Sequence, residues 1–115
     1  RIDRNSRVVS WTPQFHAFGL HNNILVPLLN GASSIILPPE SFAKNPENWI
    51  HMIDKYQATH TAAPNFAFDY CCSTLDIASI KQYSLCHLQA IICAGEPIRK
   101  ETYENFIHKF RALGL

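Results

Sequence analysis

Apolar residues along this chain fall into short strand-like runs separated by longer stretches with helical spacing. Arg7-Val-Val-Ser-Trp11 joins β-branched and aromatic residues and is closed by Thr12-Pro13, which predicts a strand. Gln14 to Gly19 predicts an aromatic-rich turn or loop. From His21 to Asn30, Ile24, Leu25, Leu28 and Leu29 recur at helical spacing, with Pro27 as a kink or late start and Gly31 as the cap. A hairpin through Asn30-Gly31 is the alternative. Ser33 to Leu37 predicts a buried strand stopped by Pro38-Pro39. Asn45 and Pro46 then open a helix whose apolar stripe is Trp49, Met52, Ile53 and Tyr56. Thr59 to Ala63 predicts a small-residue strand, Phe66 to Ser73 a short helix, and Ser79 to Cys86 an irregular connection with a turn of helix. Leu88 to Cys93 predicts an apolar strand and Ala94 to Pro97 a turn. A long helix follows, with Ile98, Tyr103, Phe106, Ile107, Phe110 and Leu113 inward and Gly114 as its stop.

Strands that alternate with helices argue for an α/β fold: a mostly parallel sheet with helices on both faces. No linker divides residues 1–115, which read as a single partial module. Charged residues are 17% of the chain and the net charge is +1. That balance gives no electrostatic reason to expect nucleic acid or an anionic membrane as partner. The basic residues are scattered, with Arg1, Arg4 and Arg7 at one end and Arg99, Lys100, Lys109 and Arg111 at the other. No apolar run approaches the ~20 residues that span a bilayer. Cys71, Cys72, Cys86 and Cys93 lack zinc-ligand spacing and have apolar neighbours, as buried reduced thiols do. A cytoplasmic location is expected. Both chain ends read as cut from something longer.

Ligands of open α/β sheets bind at the carboxyl ends of strands. Three segments fall there: Pro13 to Leu20, Pro64 to Asp69, and Ala94 to Pro97. His16 reads either as a gate or substrate contact or as a loop histidine holding backbone groups. Asn65 and Phe66 read either as a polar contact and a pocket wall or as a helix cap and a core aromatic. Gly95 and Glu96 read either as a close approach to a flat ring or phosphate or as a tight turn with a carboxylate near a helix start. His51 and His108 fall on solvated helix faces, and His21, His60 and His87 lack a partner at ligand spacing. No Walker loop, G-x-S-x-G or G-x-G-x-x-G is present.

The combination resembles one family. Val9-Ser-Trp-Thr-Pro-Gln-Phe-His-Ala-Phe-Gly-Leu20 is similar to a segment of adenylate-forming enzymes, as is Pro27-Leu-Leu-Asn-Gly31 followed by Ser41 to Pro46 and Trp49. Tyr56 to Asp69 and Cys93-Ala-Gly-Glu-Pro-Ile-Arg99, with Glu101, Thr102 and Phe106, resemble fatty-acyl-AMP ligases. The resemblance implies part of the large N-terminal domain of an enzyme that uses ATP and Mg2+ to turn a long-chain fatty acid into acyl-AMP. The acyl group then passes to the phosphopantetheine of an acyl carrier protein. It also implies that His16 and Gly19 lie near the acyl-adenylate, that Asn65 and Phe66 edge the acyl pocket, and that Ala94, Gly95, Glu96 and Pro97 lie beside the base. Two departures stand out: Ala17 replaces an aspartate, and Ala94-Gly95-Glu96-Pro97 replaces Gly-Ala-Glu-Pro.

The same resemblance places the phosphate loop, the Tyr-Gly-x-x-Glu run, the ribose-binding aspartate and the catalytic lysine outside residues 1–115. The chain alone is then expected to hold no catalytic residue, metal or cofactor and to be inactive. An acyl-CoA ligase or peptide-synthetase adenylation domain is the nearest alternative. A catalytically dead interaction module and a free-standing nucleotide-binding domain are others. The ligase reading requires the three strand-tip loops to converge on one slot.

Overall fold

The structure is a computed structural model that describes residues 2–13 and 15–115. Arg1 of the amino-terminal basic group and Gln14 of the aromatic loop lie outside the described residues.

Strands β1 (Arg7–Ser10), β2 (Ser33–Ile36), β3 (His60–Ala63) and β4 (Ala90–Cys93) form a parallel sheet in the order β2-β1-β3-β4. Register assigns its faces. Val9 is level with Ile35 and Thr61, Thr61 with Ile91, and Ala63 with Cys93. This face meets a core of Phe42, Trp49, Phe68, Phe106 and Phe110. Val8, Ser34, His60, Ala62 and Ile92 share the opposite face.

The strand order explains why helices lie on both faces. The chain leaves β1 toward one edge to form β2, then passes back beyond β1 to form β3 and β4. Right-handed crossovers in opposite directions run over opposite faces. The segment from β1 to β2 accordingly lies on the Ser34 side, where the Ser34 hydroxyl bonds the Asn23 carbonyl at 2.5 Å. The later helices α3 (Pro39–Lys44), α4 (Glu47–Lys55), α5 (Asn65–Thr74) and α7 (Lys100–Phe110) build the aromatic core.

The first crossover is helical from residue 17 to residue 30: α1 (Ala17–Gly19), a π-helical stretch (Leu20–Leu25) and α2 (Val26–Asn30). Pro27 has no N–H for the Asn23 carbonyl four residues back. The Ser34 hydroxyl donates to that carbonyl. Gly31 ends the helix at φ 68°, and Ala32 N–H returns to Pro27 O at 2.9 Å. The hairpin alternative is thereby excluded, because β2 runs parallel to β1. The expected apolar stripe is also corrected. Leu25, Leu28 and Leu29 are exposed, Leu28 and Leu29 by 73% and 81%, and the inward residues are Asn23 and Pro27.

Helix α4 follows its pattern more closely. Asn45 Oδ1 accepts the Glu47 N–H at 3.1 Å, and Trp49, Ile50 and Ile53 are buried. Tyr56 is not part of the stripe: it lies past the helix end, beside Gln57 at φ 50°, and faces solvent. The strand from Ser33 is an exposed edge rather than a buried strand, and Leu37 beyond it reaches the core. Pro39 starts α3, a helix the Pro38-Pro39 pair concealed, because proline suits a first helical turn. The short helix α6 (Ile77–Ile80) is capped by Asp76, whose Oδ1 accepts the Ala78 N–H at 3.2 Å, and it starts before Ser79. In α7, Thr102, Phe106 and Phe110 face inward at four-residue spacing. Ile98 and Tyr103, expected inward, are each 57% exposed: Ile98 precedes the helix, and Tyr103 is one position off its inner line.

Candidate functional site

Neighbouring strands β1 and β3 send their outgoing chains over opposite faces, so a crevice opens between their carboxyl ends. A cleft of about 310 Å³ lies there. The tip of β1 contributes Trp11 to Pro13, and the following turn contributes His16 and Phe18. Pro64 and Phe66 come from beyond β3, and Ala94 to Glu96 from beyond β4.

Each expected residue has a definite place. His16 Nδ1 accepts the Phe18 N–H at 3.4 Å and caps the helical segment. In the neutral ring this leaves Nε2 as an N–H donor. Gly19 does not line the cleft. A Cβ there would lie 1.9 Å from the Pro13 carbonyl oxygen, so its missing side chain lets the helical segment press against the end of β1. Phe66 is half-exposed at the wall and meets Trp11 edge-to-face at 6.0 Å. Gly95 adopts φ 90°, a left-handed turn that favours glycine, and open space lies where its side chain would be. Glu96 Oε1 accepts the Phe66 N–H at 2.8 Å, placing a carboxylate at the positive end of α5.

Asn65 and Pro97 are not among the residues lining the cleft. Asn65 is buried, with its amide bonded to Thr102 Oγ1 at 3.2 Å and its carbonyl to the Arg99 N–H at 3.0 Å.

Trp11, not among the expected site residues, also lines the cleft. Its ring stacks on Phe42 at 4.0 Å, and its buried Nε1 has no protein partner. The available signal was an indole directly before a strand-closing Thr-Pro pair. Trp11 and Phe66 also border a second, apolar groove of about 600 Å³ with Pro39, Phe42, Ala43 and Tyr70. Cys93 precedes the Ala94 turn, and burial, with Glu96 adding to it, pushes its thiol up, which keeps it a poor nucleophile. Among the described residues no group of three or more His, Cys, Asp or Glu could hold a metal ion. No helix among them is long and apolar enough to cross a membrane.

Comparison with known proteins gives this geometry a context. Residues 1–114 match the family described as AMP-binding enzyme. The chain belongs to that family. A probable long-chain-fatty-acid–AMP ligase of Mycobacterium tuberculosis is 36% identical over 96% of this chain and 19% of its own length. A medium-chain-fatty-acid–[acyl-carrier-protein] ligase of Moorena producens is 32% identical, again over 96% of this chain and 19% of its own. A fatty acyl-adenylate ligase from L. pneumophila, solved with acyl adenylate and pyrophosphate, superposes with a TM-score of 0.95 at 34% identity, over 99% of this chain and 20% of that one. The chain thus spans about a fifth of the length of these relatives.

Proposed function

We propose that these residues form one wall of the acyl-adenylate site of an ATP-dependent fatty-acyl-AMP ligase, which passes its acyl group to an acyl carrier protein. The carrying observation is that three strand tips converge on one cleft at the switch point of the sheet, in a chain of the AMP-binding family. The Ala94–Glu96 turn offers backbone and open space to a flat base. His16 offers its Nε2 N–H to a carboxylate or phosphate oxygen. The adjoining apolar groove, walled by Phe66 and Trp11, suits an alkyl tail.

The residues do not fit Mg2+. The carboxylate lining the cleft, Glu96, is engaged by the Phe66 N–H, and among the described residues no group of three or more His, Cys, Asp or Glu adjoins it. The wall therefore binds and orients, and in this reading phosphate chemistry and metal binding belong to the rest of the ligase. Its contribution is to hold carboxylate and nucleotide in line, which lowers the entropic part of the barrier.

The test is pyrophosphate exchange with ATP. The full-length protein carrying these residues is expected to exchange in the presence of a fatty acid, and the isolated 115 residues are expected not to. Exchange by the isolated chain would refute the reading. His16→Ala in the full-length protein should lower kcat/KM by about tenfold, the loss of one hydrogen bond to the reacting groups. Comparing CoA with a carrier protein as acceptor separates this reading from an acyl-CoA ligase.

A further inference from the structure

Asn65 lies at the first helical position of α5, and every polar group of its side chain is used. Nδ2 donates to Thr102 Oγ1 at 3.2 Å and to Asp69 Oδ2 at 3.4 Å, and Oδ1 accepts the Arg99 N–H at 3.0 Å. Arg99 returns to the same helix through its guanidinium, which donates to Asp69 Oδ2 at 2.6 Å. The bonds span more than thirty residues of sequence and join the start of α5 to the start of α7. Between those two anchors runs the Ala94–Glu96 turn that lines the cleft. Its only other side-chain tie to α5 among the described residues is Glu96 to the Phe66 N–H.

We infer that Asn65 is a positioning residue that fixes the Ala94–Glu96 turn against α5 and so sets the spacing between Gly95 and the Phe66 wall. The inference rests on the reading of that turn as the nucleotide side of the site. Asn65 does not itself line the cleft. A backbone-held turn at φ 90° presents its amides in one orientation only if both ends are anchored, and the Arg99 N–H is the anchor at its far end. The chemistry required at position 65 is specific: one acceptor for Arg99 and donors toward Asp69 and Thr102. Aspartate sets a second carboxylate against Asp69, and the repulsion turns its oxygens away from the Arg99 N–H. Exchanging the pair, Asn65→Asp with Asp69→Asn, restores a donor facing an acceptor.

The experiment has two arms in the full-length protein. Amide hydrogen exchange reads the anchor directly: Asn65→Asp should speed exchange at Arg99 and Phe66, and the Asn65→Asp/Asp69→Asn double variant should slow it again. Steady-state kinetics of pyrophosphate exchange reads what the anchor serves. Asn65→Asp should raise KM for ATP by about fivefold with KM for the fatty acid within about twofold, and the double variant should recover most of that loss. Thr102→Val, which deletes one acceptor and little volume, should give a smaller shift of the same kind. Unchanged exchange at Arg99 overturns the inference, as does a fatty-acid KM that rises as much as that for ATP. A wild type that shows no exchange of pyrophosphate overturns the ligase reading instead, and the amide arm still decides whether Asn65 holds the turn.

Discussion

The two faces of the sheet are held by different physics. On the Val9 face, aromatic rings fill the space: Phe42 meets Trp49 at 5.6 Å, Trp49 meets Phe68 at 5.7 Å, and Phe68 meets Phe106 at 4.9 Å. Trp49 Nε1–H donates to Thr61 Oγ1 at 2.9 Å there, while Trp11 Nε1, at the cleft end of the same face, has no protein partner. On the Val8 face the covering helical segment shows its leucines to solvent and holds on by backbone approach and polar bonds. Gly19 presses on Pro13, and buried Asn23 donates to Thr12 O at 3.0 Å. The aromatic face is the foundation of the site. The polar face carries the His16 turn.

The sharpest test of the contrast is Trp49→Ala. It removes a fully buried ring and leaves the Thr61 hydroxyl with one partner fewer, so we expect a loss of about 3–5 kcal/mol in urea unfolding. A loss below about 1 kcal/mol would mean that the aromatic face is not the core. Gly19→Ala should cost less, about 1–3 kcal/mol, because the segment can lift away from Pro13 at the expense of its polar bonds. That lift moves His16, so the variant should weaken adenylate formation more than it lowers stability. Equal effects on both would mean that the segment only supports the fold.

Much of this division was legible in the sequence. Asn45-Pro46 and the Trp49–Ile53 spacing located α4, and the alternation of elements located the parallel sheet. The convergence of three loops was inferable from strand ends alone. What failed has one cause: periodicity reports spacing, not which neighbour is present. Ile24, Leu25, Leu28 and Leu29 are spaced as a buried stripe, yet the segment turns Asn23 and Pro27 inward, where Asn23 bonds Thr12 just past β1 and Ser34 of β2. The strand order, which makes β1 and β3 the switch point, depends on long-range pairing that no local pattern encodes. Asn65 begins α5 rather than capping it, and it does not line the cleft. In the proposed reading it acts from behind the turn.

The mildest test concerns His60, on the polar face. His60 Nδ1 and the Thr59 hydroxyl share a 2.8 Å hydrogen bond. The buried Nε2 has no protein partner. The protonated ring would carry a charge and an Nε2 N–H with nothing to receive it, and burial accordingly lowers the pKa below its ordinary 6.5, with the Asp3 carboxylate opposing in part. The sign follows. Below pH 6.5 the unfolded chain binds a proton that the folded chain refuses, so this contribution to stability is complete above that value. It is lost as pH falls from there through the lower folded pKa. The urea midpoint should therefore decline on acidification from pH 7 toward 5, and His60→Gln should flatten that slope. A slope unchanged in His60→Gln would place the acid-sensitive group elsewhere and leave the polar face without a titrating weak point.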